Sequence, residues 1–386
     1  MKKRIFALVC TFVLVLAASG CGAAGNSAAE VSASASESPS APASESPASG
    51  EPASEPAEPV VEEPPPDNSW EFDRPESHGV DPAILENLYA AVADTDLYAI
   101  LIAKDGVVIN EYYKDGYDEN SVFRFASCTK SFSGALIGLA IENGFLSGVD
   151  AKLTEFFSQL ADSDDALKKE ITVEHLLTHT SGIYWSEWNG GPMFRELSQS
   201  ENWVEFVLGQ PMASEPGTVF NYTTGGSHLL GAVIQEATGQ TAFDFGKEYL
   251  FGPMGMDSVE WRSDPQGVTD GGNGISMTAR DAAKFGQLYL DGGEWKGRRI
   301  ISEAWVEESV KTQAAGSWGT GEYGYSWWLK AFGTSTAHDV YYAMGHGGQY
   351  IFVVPEFELV VVMASRFQDT YAPQYFFNDY LIPACE

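Results

Sequence analysis

Ser127-Cys128-Thr129-Lys130 heads a run, Ser131 to Ile141, that contains no charged residue. A helix apolar on every side is a buried central helix. Its first turn then offers a hydroxyl and an amine three residues apart, on one face. A serine at that position has the unpaired N–H groups and the positive dipole end of the helix beside it. Those are the needs of a serine nucleophile: a nearby base, and partial positive charge where an oxyanion develops. Chance alone supplies about one Ser-x-x-Lys in a chain of this length. The charge-free setting is what singles this one out.

Around this helix the chain divides into three stretches. Before it, Leu97 to Ala103, Lys104-Asp105-Gly106 and Val107 to Tyr113 read as a hairpin with an Asp-Gly turn. The helix itself should stop near Gly144. From about 149 to 263 the pattern is helical with long loops, including short helices at Glu174 to Thr180, Trp203 to Leu208 and Gly226 to Thr238. Thr278-Ala279-Arg280-Asp281 opens a further helix in the manner of a capping box. The last stretch returns to strands at Gly324 to Ala331, Val340 to Met344, Gln349 to Val354 and Leu359 to Ala364, with a final helix over Pro373 to Ile382. Strands first and last with helices between predict an α+β fold. An antiparallel sheet is built from both chain ends and flanked by helices, with an inserted, mainly helical lobe at about 146–270. The Ser127 helix then lies between the lobes, where clefts form.

Two further segments complete a candidate site. Phe220-Asn221-Tyr222-Thr223-Thr224 precedes the helix at Gly226. A Tyr222 hydroxyl beside the Lys130 ammonium should have a depressed pKa, because the positive charge favours phenolate, and so could take the Ser127 proton. Thr224 could exchange a hydrogen bond with the Lys130 amine. Gly345-His346-Gly347-Gly348-Gln349 opens a strand, and its glycines permit close backbone approach to a ligand. The backbone N–H groups of Gln349 and Ser127 would form an oxyanion hole.

Ser-x-x-Lys, then Tyr-x-Thr with its tyrosine 95 residues after Ser127, then His-Gly-Gly beginning 124 residues beyond Tyr222, resembles the serine β-lactamase and penicillin-binding-protein superfamily. The resemblance is to the class C-type esterase branch that includes 6-aminohexanoate-dimer hydrolases, and it covers about 85 to 386. His175 to Ile183, Gly271 to Phe285 and Gly345 to Pro355 support it. It implies a two-lobed β-lactamase-like fold. It also implies Ser127 as acylated nucleophile, Lys130 as the partner that lowers the tyrosine pKa, and Tyr222 as general base for acylation and for the deacylating water. Thr224 falls where many relatives have Asn and the dimer hydrolases a small hydroxyl residue. His346, Gly347 and Gly348 fall where β-lactamases carry Lys-Thr-Gly, the pair that contacts the carboxylate of β-lactams and stem peptides. A largely neutral His and a Gly supply neither a firm charge nor a hydroxyl. An ester or small amide is therefore the expected substrate, with no metal or organic cofactor.

Other readings stay open at this level. One is a β-lactamase or DD-peptidase; another is a surface binding or sensing domain of the same fold that acylates without turnover. A nucleophile-elbow hydrolase needs Gly-x-Ser-x-Gly, which is not found. His175 and His179, four apart, have zinc-ligand spacing without a third partner, and the same stretch is a structural helix in the family. Cys128 points off the Ser–Lys face. Tyr184, Trp185 and Trp188 either wall the cleft or pack elsewhere, and Asn273 either touches substrate or serves a turn.

The N-terminus reads as an export signal. Lys2, Lys3 and Arg4 precede an apolar stretch, Ile5 to Ala18, shorter than the roughly 20 residues of a membrane span. Leu16-Ala17-Ala18-Ser19-Gly20-Cys21 resembles a bacterial lipobox, which makes residues 1–20 the signal and Cys21 the lipidated first residue. Residues 21–69 are mostly Ser, Ala, Pro and Glu, without Lys or Arg. Such a segment cannot offset its chain entropy and should be disordered, a tether reaching on the order of 100 Å. The hydrolase domain is expected over 70–386. The chain carries −32 in all. With three positive charges in the signal and nine negative in the linker, −26 falls on the folded part. That charge repels nucleic acid and anionic headgroups, so membrane contact is expected only through a lipid anchor. Of the two cysteines left after processing, Cys128 and Cys385 could in principle bridge. Mass spectrometry of the mature protein should show a diacylglyceryl-modified Cys21 at its N-terminus; an unmodified cysteine there rules the anchor out.

Overall fold

In the computed structural model, residues 67–187, 191–316, 321–330 and 338–386 are described. The signal segment, Cys21, most of the linker and Trp188 lie outside them.

Helix α1 (Pro82–Val92) opens with Pro82 at its first position and Asp81 as its cap, whose side chain accepts from Ala83 N–H. The expected hairpin follows as β1 (Leu97–Lys104) and β2 (Val107–Tyr113), turning at Asp105-Gly106, both with positive φ. Strand β3 (Phe123–Arg124) leads into α2 (Thr129–Glu142). Helical segments α3 (Ser158–Ala161), α4 (Val173–Leu177), α5 (Met193–Gln199), α6 (Trp203–Leu208), α7 (Thr224–Thr238) and α8 (Ala242–Gly246) fill the middle of the chain. Strands β4 (Glu260–Trp261) and β5 (Ile275–Met277) join β3 in a small sheet ordered β3-β5-β4. Helix α9 (Ala279–Leu290), a ribbon of β6 (Glu294–Trp295) and β7 (Arg298–Arg299), and α10 (Glu303–Ser309) come next. Strands β8 (Ala314–Ala315), β9 (Glu322–Tyr323), β10 (Trp328–Leu329), β11 (Tyr341–Gly345), β12 (Gln349–Val354) and β13 (Leu359–Ser365) precede α11 (Ala372–Phe376) and α12 (Ile382–Cys385).

The main sheet has eight antiparallel strands in the order β2-β1-β13-β12-β11-β10-β9-β8. Both chain ends thus build one sheet, with the helices inserted between. Every residue of β12 and β13 is buried, and alternation sorts them onto two faces. Ile351, Val353, Val360 and Val362 face a core shared with α2 and α9. Tyr350, Phe352, Val361 and Met363 face α1 and the C-terminal helices through Leu85, Leu88, Phe377 and Leu381. A strand covered on both sides reads as a continuous apolar run, which is what Leu359 to Ala364 shows.

Helix α2 is buried from Thr129 to Ala140, as the charge-free run that follows Lys130 requires. Phe132 stacks on Phe285 of α9 with ring centroids 3.8 Å apart. Two local departures from the sequence reading have physical causes, at the end of α4 and after Gly324. Helix α4 ends at Leu177 because His179 takes a φ of 57°, turning the chain before Ser181. Among the described residues, the stretch from Gly324 holds only the two-residue strand β10. Ser326 there has a φ of 63°, and Gly324 N–H donates to Trp327 C=O, closing a turn between β9 and β10. Cys128 and Cys385 are both free thiols, one in the core and one near the chain end, so they form no bridge.

Helix α9 seats on the sheet through a bare Cα. A Cβ at Gly286 would lie 2.6 Å from a Val360 methyl and 2.9 Å from an Ile351 methyl. Gly286→Val should therefore push α9 off the sheet and destabilise the domain by about 1–3 kcal/mol. Chemical denaturation with an unchanged slope would report it; unaltered stability would show that the contact yields freely.

Candidate active site

Ser127 sits in a single tight turn, Ala126–Cys128, that feeds α2. Ala126 holds a φ of 47°, a left-handed conformation costly for a residue with a Cβ. Two contacts impose it. Phe125 N–H donates to Ile275 C=O of β5 at 3.0 Å. On the other side β11 closes in: a Cβ on Gly345 would stand 2.2 Å from Phe125 C=O. The turn is thus clamped between the two sheets, and Cys128 is directed into the core, 3.6 Å from Gln349 C=O. Burial pushes its thiol pKa up, which excludes it as a nucleophile.

Lys130 is 1% exposed. Its Nζ donates to Ser127 Oγ at 3.2 Å, Thr224 Oγ1 at 3.2 Å and Gly272 C=O at 2.8 Å. Burial lowers its pKa to about 8, against the opposing pull of Glu187 and Asp270. The glycines of the 271–272 loop make this approach possible. A Cβ on Gly272 would fall 2.6 Å from Thr224 C=O, and one on Gly271 2.5 Å from Ser227 C=O. Asp270 shapes the loop: its Oδ1 accepts from Gly272 and Asn273 N–H, and its Oδ2 from Arg262 at 3.0 and 2.6 Å.

Tyr222 is brought to the same place. Lys130 Nζ lies 4.7 Å from its ring centroid, and its ring stacks on Trp328. The expected depression of its pKa is overturned. Burial pushes the phenol well above its usual value, Tyr323 and Glu187 add to that, and the hydrogen bond with Ser127 opposes it without prevailing. Thr224, expected just before a helix at Gly226, is the first residue of α7. It receives the Lys130 hydrogen bond and passes its own proton to Glu187 Oε1 at 3.0 Å, while Thr224 N–H donates to Glu187 Oε2 at 3.0 Å. Glu187 also accepts from Trp185 Nε1 at 2.5 Å.

His346, Gly347 and Gly348 do not lie on a strand. They are the three-residue hairpin loop between β11 and β12, with Gly345 paired to Gln349 and both Gly347 and Gly348 at φ 85°. Ser365 braces the loop by donating to Gly347 and Gly348 C=O at 2.8 and 2.6 Å. His346 is exposed. A cavity of about 730 Å³ unites Ser127, Tyr222, Thr224, His346, Gly347 and Gln349, a size suited to a small molecule. Its aromatic wall includes Tyr98, stacked on Tyr117 at 4.9 Å, and Phe123 beyond. Arg124, Arg366 and Asn273 line it too. Asn273 is 7% exposed and its Oδ1 has no hydrogen-bond partner.

Tyr184 is corrected: it is 47% exposed and is not among the residues that line the cavity. Ile183 bridges Met212 and is buried, so extended alternation turns Tyr184 outward and Trp185 back in. His175 and His179 are separately engaged. His175 Nδ1 accepts from Thr172 N–H, and His179 Nδ1 from Thr223 N–H, with its Nε2 on the Tyr323 hydroxyl. Burial and Lys130 hold His179 well below its usual pKa, so it is neutral. Sequence reading missed Glu187, Arg124 and Arg366. Only the acidic residue amid the aromatics of Tyr184-Trp185-Ser186-Glu187 offered a hint.

The sequence profile of the family described as Beta-lactamase matches residues 90–376. A 6-aminohexanoate-dimer hydrolase of Paenarthrobacter ureafaciens is 24% identical over 306 residues, 74% of this chain and 76% of that protein. Esterase EstB of Burkholderia gladioli is 32% identical over 154 residues, 36% of this chain and 38% of its own length. The solved structure assigned to a 6-aminohexanoate-dimer hydrolase of Bacillus anthracis superposes with a TM-score of 0.67 at 20% identity, covering 82% of this chain and 86% of that one.

Replacing Asp270 by Asn removes the charge that both backbone N–H groups and Arg262 address. We expect a loss of about 1.5–3 kcal/mol of stability. Thermal unfolding of the variant measures it, and an unmoved midpoint would show that the loop is held by other means.

Proposed function

We propose that this chain, which belongs to the Beta-lactamase family of serine hydrolases, cleaves an ester or small amide through a Ser127 acyl-enzyme. The observation that carries the reading is the 3.2 Å contact between Ser127 Oγ and a buried Lys130 whose pKa lies at about 8. A base poised near the working pH is the most effective one. In this reading Lys130 and Tyr222 act as a pair. Lys130 takes the Ser127 proton as Oγ bonds to the substrate carbonyl carbon. Tyr222 stays a phenol and orients Oγ through its hydrogen bond. The oxyanion is received by the backbone N–H groups of Ser127 and Gln349, both at the cavity wall. Collapse expels the alcohol or amine, which takes the proton from Lys130. Water then repeats the sequence on the ester, with Lys130 again as base.

Substrate choice follows from what surrounds Ser127. The loop at 346–348 offers an exposed imidazole and two glycines, so no fixed cation stands there for a β-lactam carboxylate. The relatives named for ester and dimer-amide hydrolysis support an acyl substrate of that kind. Asn273 Oδ1, buried and unpartnered at the wall, suits an N–H or O–H of the substrate. A second reading, a β-lactam-processing enzyme, draws on Arg124 and Arg366, two guanidiniums that line the cavity. Export and attachment through Cys21 belong to the same proposal, resting on the basic and apolar N-terminal segment and its small residues before the cysteine.

Short-chain p-nitrophenyl esters should be hydrolysed and a chromogenic cephalosporin scarcely turned over. Ser127→Ala should lose at least about 10³-fold in kcat/KM. Because the active form of Lys130 is the neutral amine, kcat/KM should rise with pH through about 8. Undiminished activity of Ser127→Ala, or rapid cephalosporin turnover, would overturn the respective part of the reading.

A further inference from the structure

Lys130 is met from every side by named groups. Ser127 and Cys128 come from its own turn, and Thr224 and the Tyr222 ring from the start of α7. Gly272 C=O and Asp270 come from the glycine loop, and His179 lies behind Tyr222. The carboxylates that act on it are Glu187 and Asp270. Asp270 is bound to Arg262 and two backbone N–H groups. Glu187 has no cation within ion-pair distance among the described residues. Its three hydrogen bonds come from Trp185 Nε1 and from the N–H and hydroxyl of Thr224. Asn221 Nδ2 secures the segment by donating to Trp185 C=O at 3.1 Å.

One consequence is directional. Thr224 has a single hydroxyl proton, and it goes to Glu187; the Thr224 oxygen is therefore left to accept from Lys130. If the carboxylate were absent, that hydroxyl could turn its proton towards the lysine, and an ammonium would lose one of its three acceptors. Glu187 thus fixes a donor chain running Lys130 to Thr224 to Glu187, which favours the protonated amine.

We propose that Glu187 is a positioning residue that acts through Thr224 to hold the proton on Lys130 after Ser127 has been deprotonated, so that a poor leaving group can be protonated. The inference rests on the Ser127–Lys130 reading given above. The proton balance is simple. The Ser127 O–H bond breaks to Lys130 as Oγ–C forms. The C–N or C–O bond of the substrate then breaks as Lys130 returns the same proton to the departing nitrogen or oxygen. An amine leaves only when protonated, whereas p-nitrophenolate leaves without help. Glu187 is therefore tied to amide and alkyl-ester cleavage and is nearly dispensable for activated esters.

The test is Glu187→Gln, with Glu187→Asp as conservative control, on a p-nitrophenyl ester and on the p-nitroanilide of the same acyl group. Removing the negative charge should move the acid limb of kcat/KM for the ester towards lower pH by about one unit. Ester turnover at the plateau should stay within a few-fold, anilide turnover should fall by at least about 10-fold, and Glu187→Asp should restore both. An unmoved limb with equal loss on the two substrates means that Glu187 only supports the fold, and the proposal fails. If the wild-type ester activity survives Ser127→Ala, the underlying site reading has failed instead.

Discussion

A lysine amine is buried against its own serine, and the rest of the site exists to make that tolerable. An ammonium has three donors, and each unmet donor in the interior costs about 1–3 kcal/mol. Lys130 finds three acceptors: Ser127 Oγ, Thr224 Oγ1 and Gly272 C=O. They come from three separated parts of the chain. The Ser127 turn must be clamped by β5 and β11, α7 must begin at Thr224, and two glycines must let the 270–273 loop approach to backbone contact. Even so, burial wins over the neighbouring carboxylates and leaves the amine near pH 8. The same desolvation acts on Tyr222 in the opposite sense, raising the phenol. One environment thus separates the two titrating groups, making the neutral amine accessible near pH 8 and keeping the phenol protonated.

How much of this was legible in the sequence depends on which force decides each residue. Helix α2 could be read directly because a charge-free run has one stable place, the core. The hairpin at 97–113 was marked by Asp-Gly, and α9 by its cap. Ser127, Lys130, Tyr222 and Thr224 could be grouped because their order and spacing follow a family pattern. The Tyr222 shift was misjudged because charge proximity can be guessed from a motif, whereas depth of burial is a property of the assembled lobes. The place of Tyr184 stayed open because the phase of an extended segment is set by the Ile183–Met212 bridge, a contact between distant residues. Glu187 went unseen because an irregular segment carries no period, so nothing local says which way its carboxylate points. The Ser326 turn was hidden for a related reason: a positive φ on serine is imposed by its surroundings and leaves no mark such as glycine.

The electrostatics of the cavity differ from those of the whole chain. The net charge is −32, yet Lys130, Arg124 and Arg366 line or underlie the cavity and Glu187 is its one carboxylate among the described lining residues. Cationic groups in a concave, partly desolvated wall shape the local field more than distant surface carboxylates do, because the latter are screened within about 8–10 Å by salt. The site is therefore not an extension of the acidic surface around it.

The pairing of β1 with β13 has a bearing on how the protein comes into being. It joins residues 97–104 to 359–365, so the centre of the sheet cannot close until the chain has been made through residue 365. Non-local pairing of this kind folds slowly, and until it occurs the apolar strands and the long α2 remain exposed to aggregation. The Ser127 turn is clamped by β11 from the same late segment. A chain that has not yet reached β11 consequently has no assembled Ser127 turn. On the proposed function, hydrolytic competence would follow only once β11 and β13 have joined the sheet, which makes activity itself a reporter of folding.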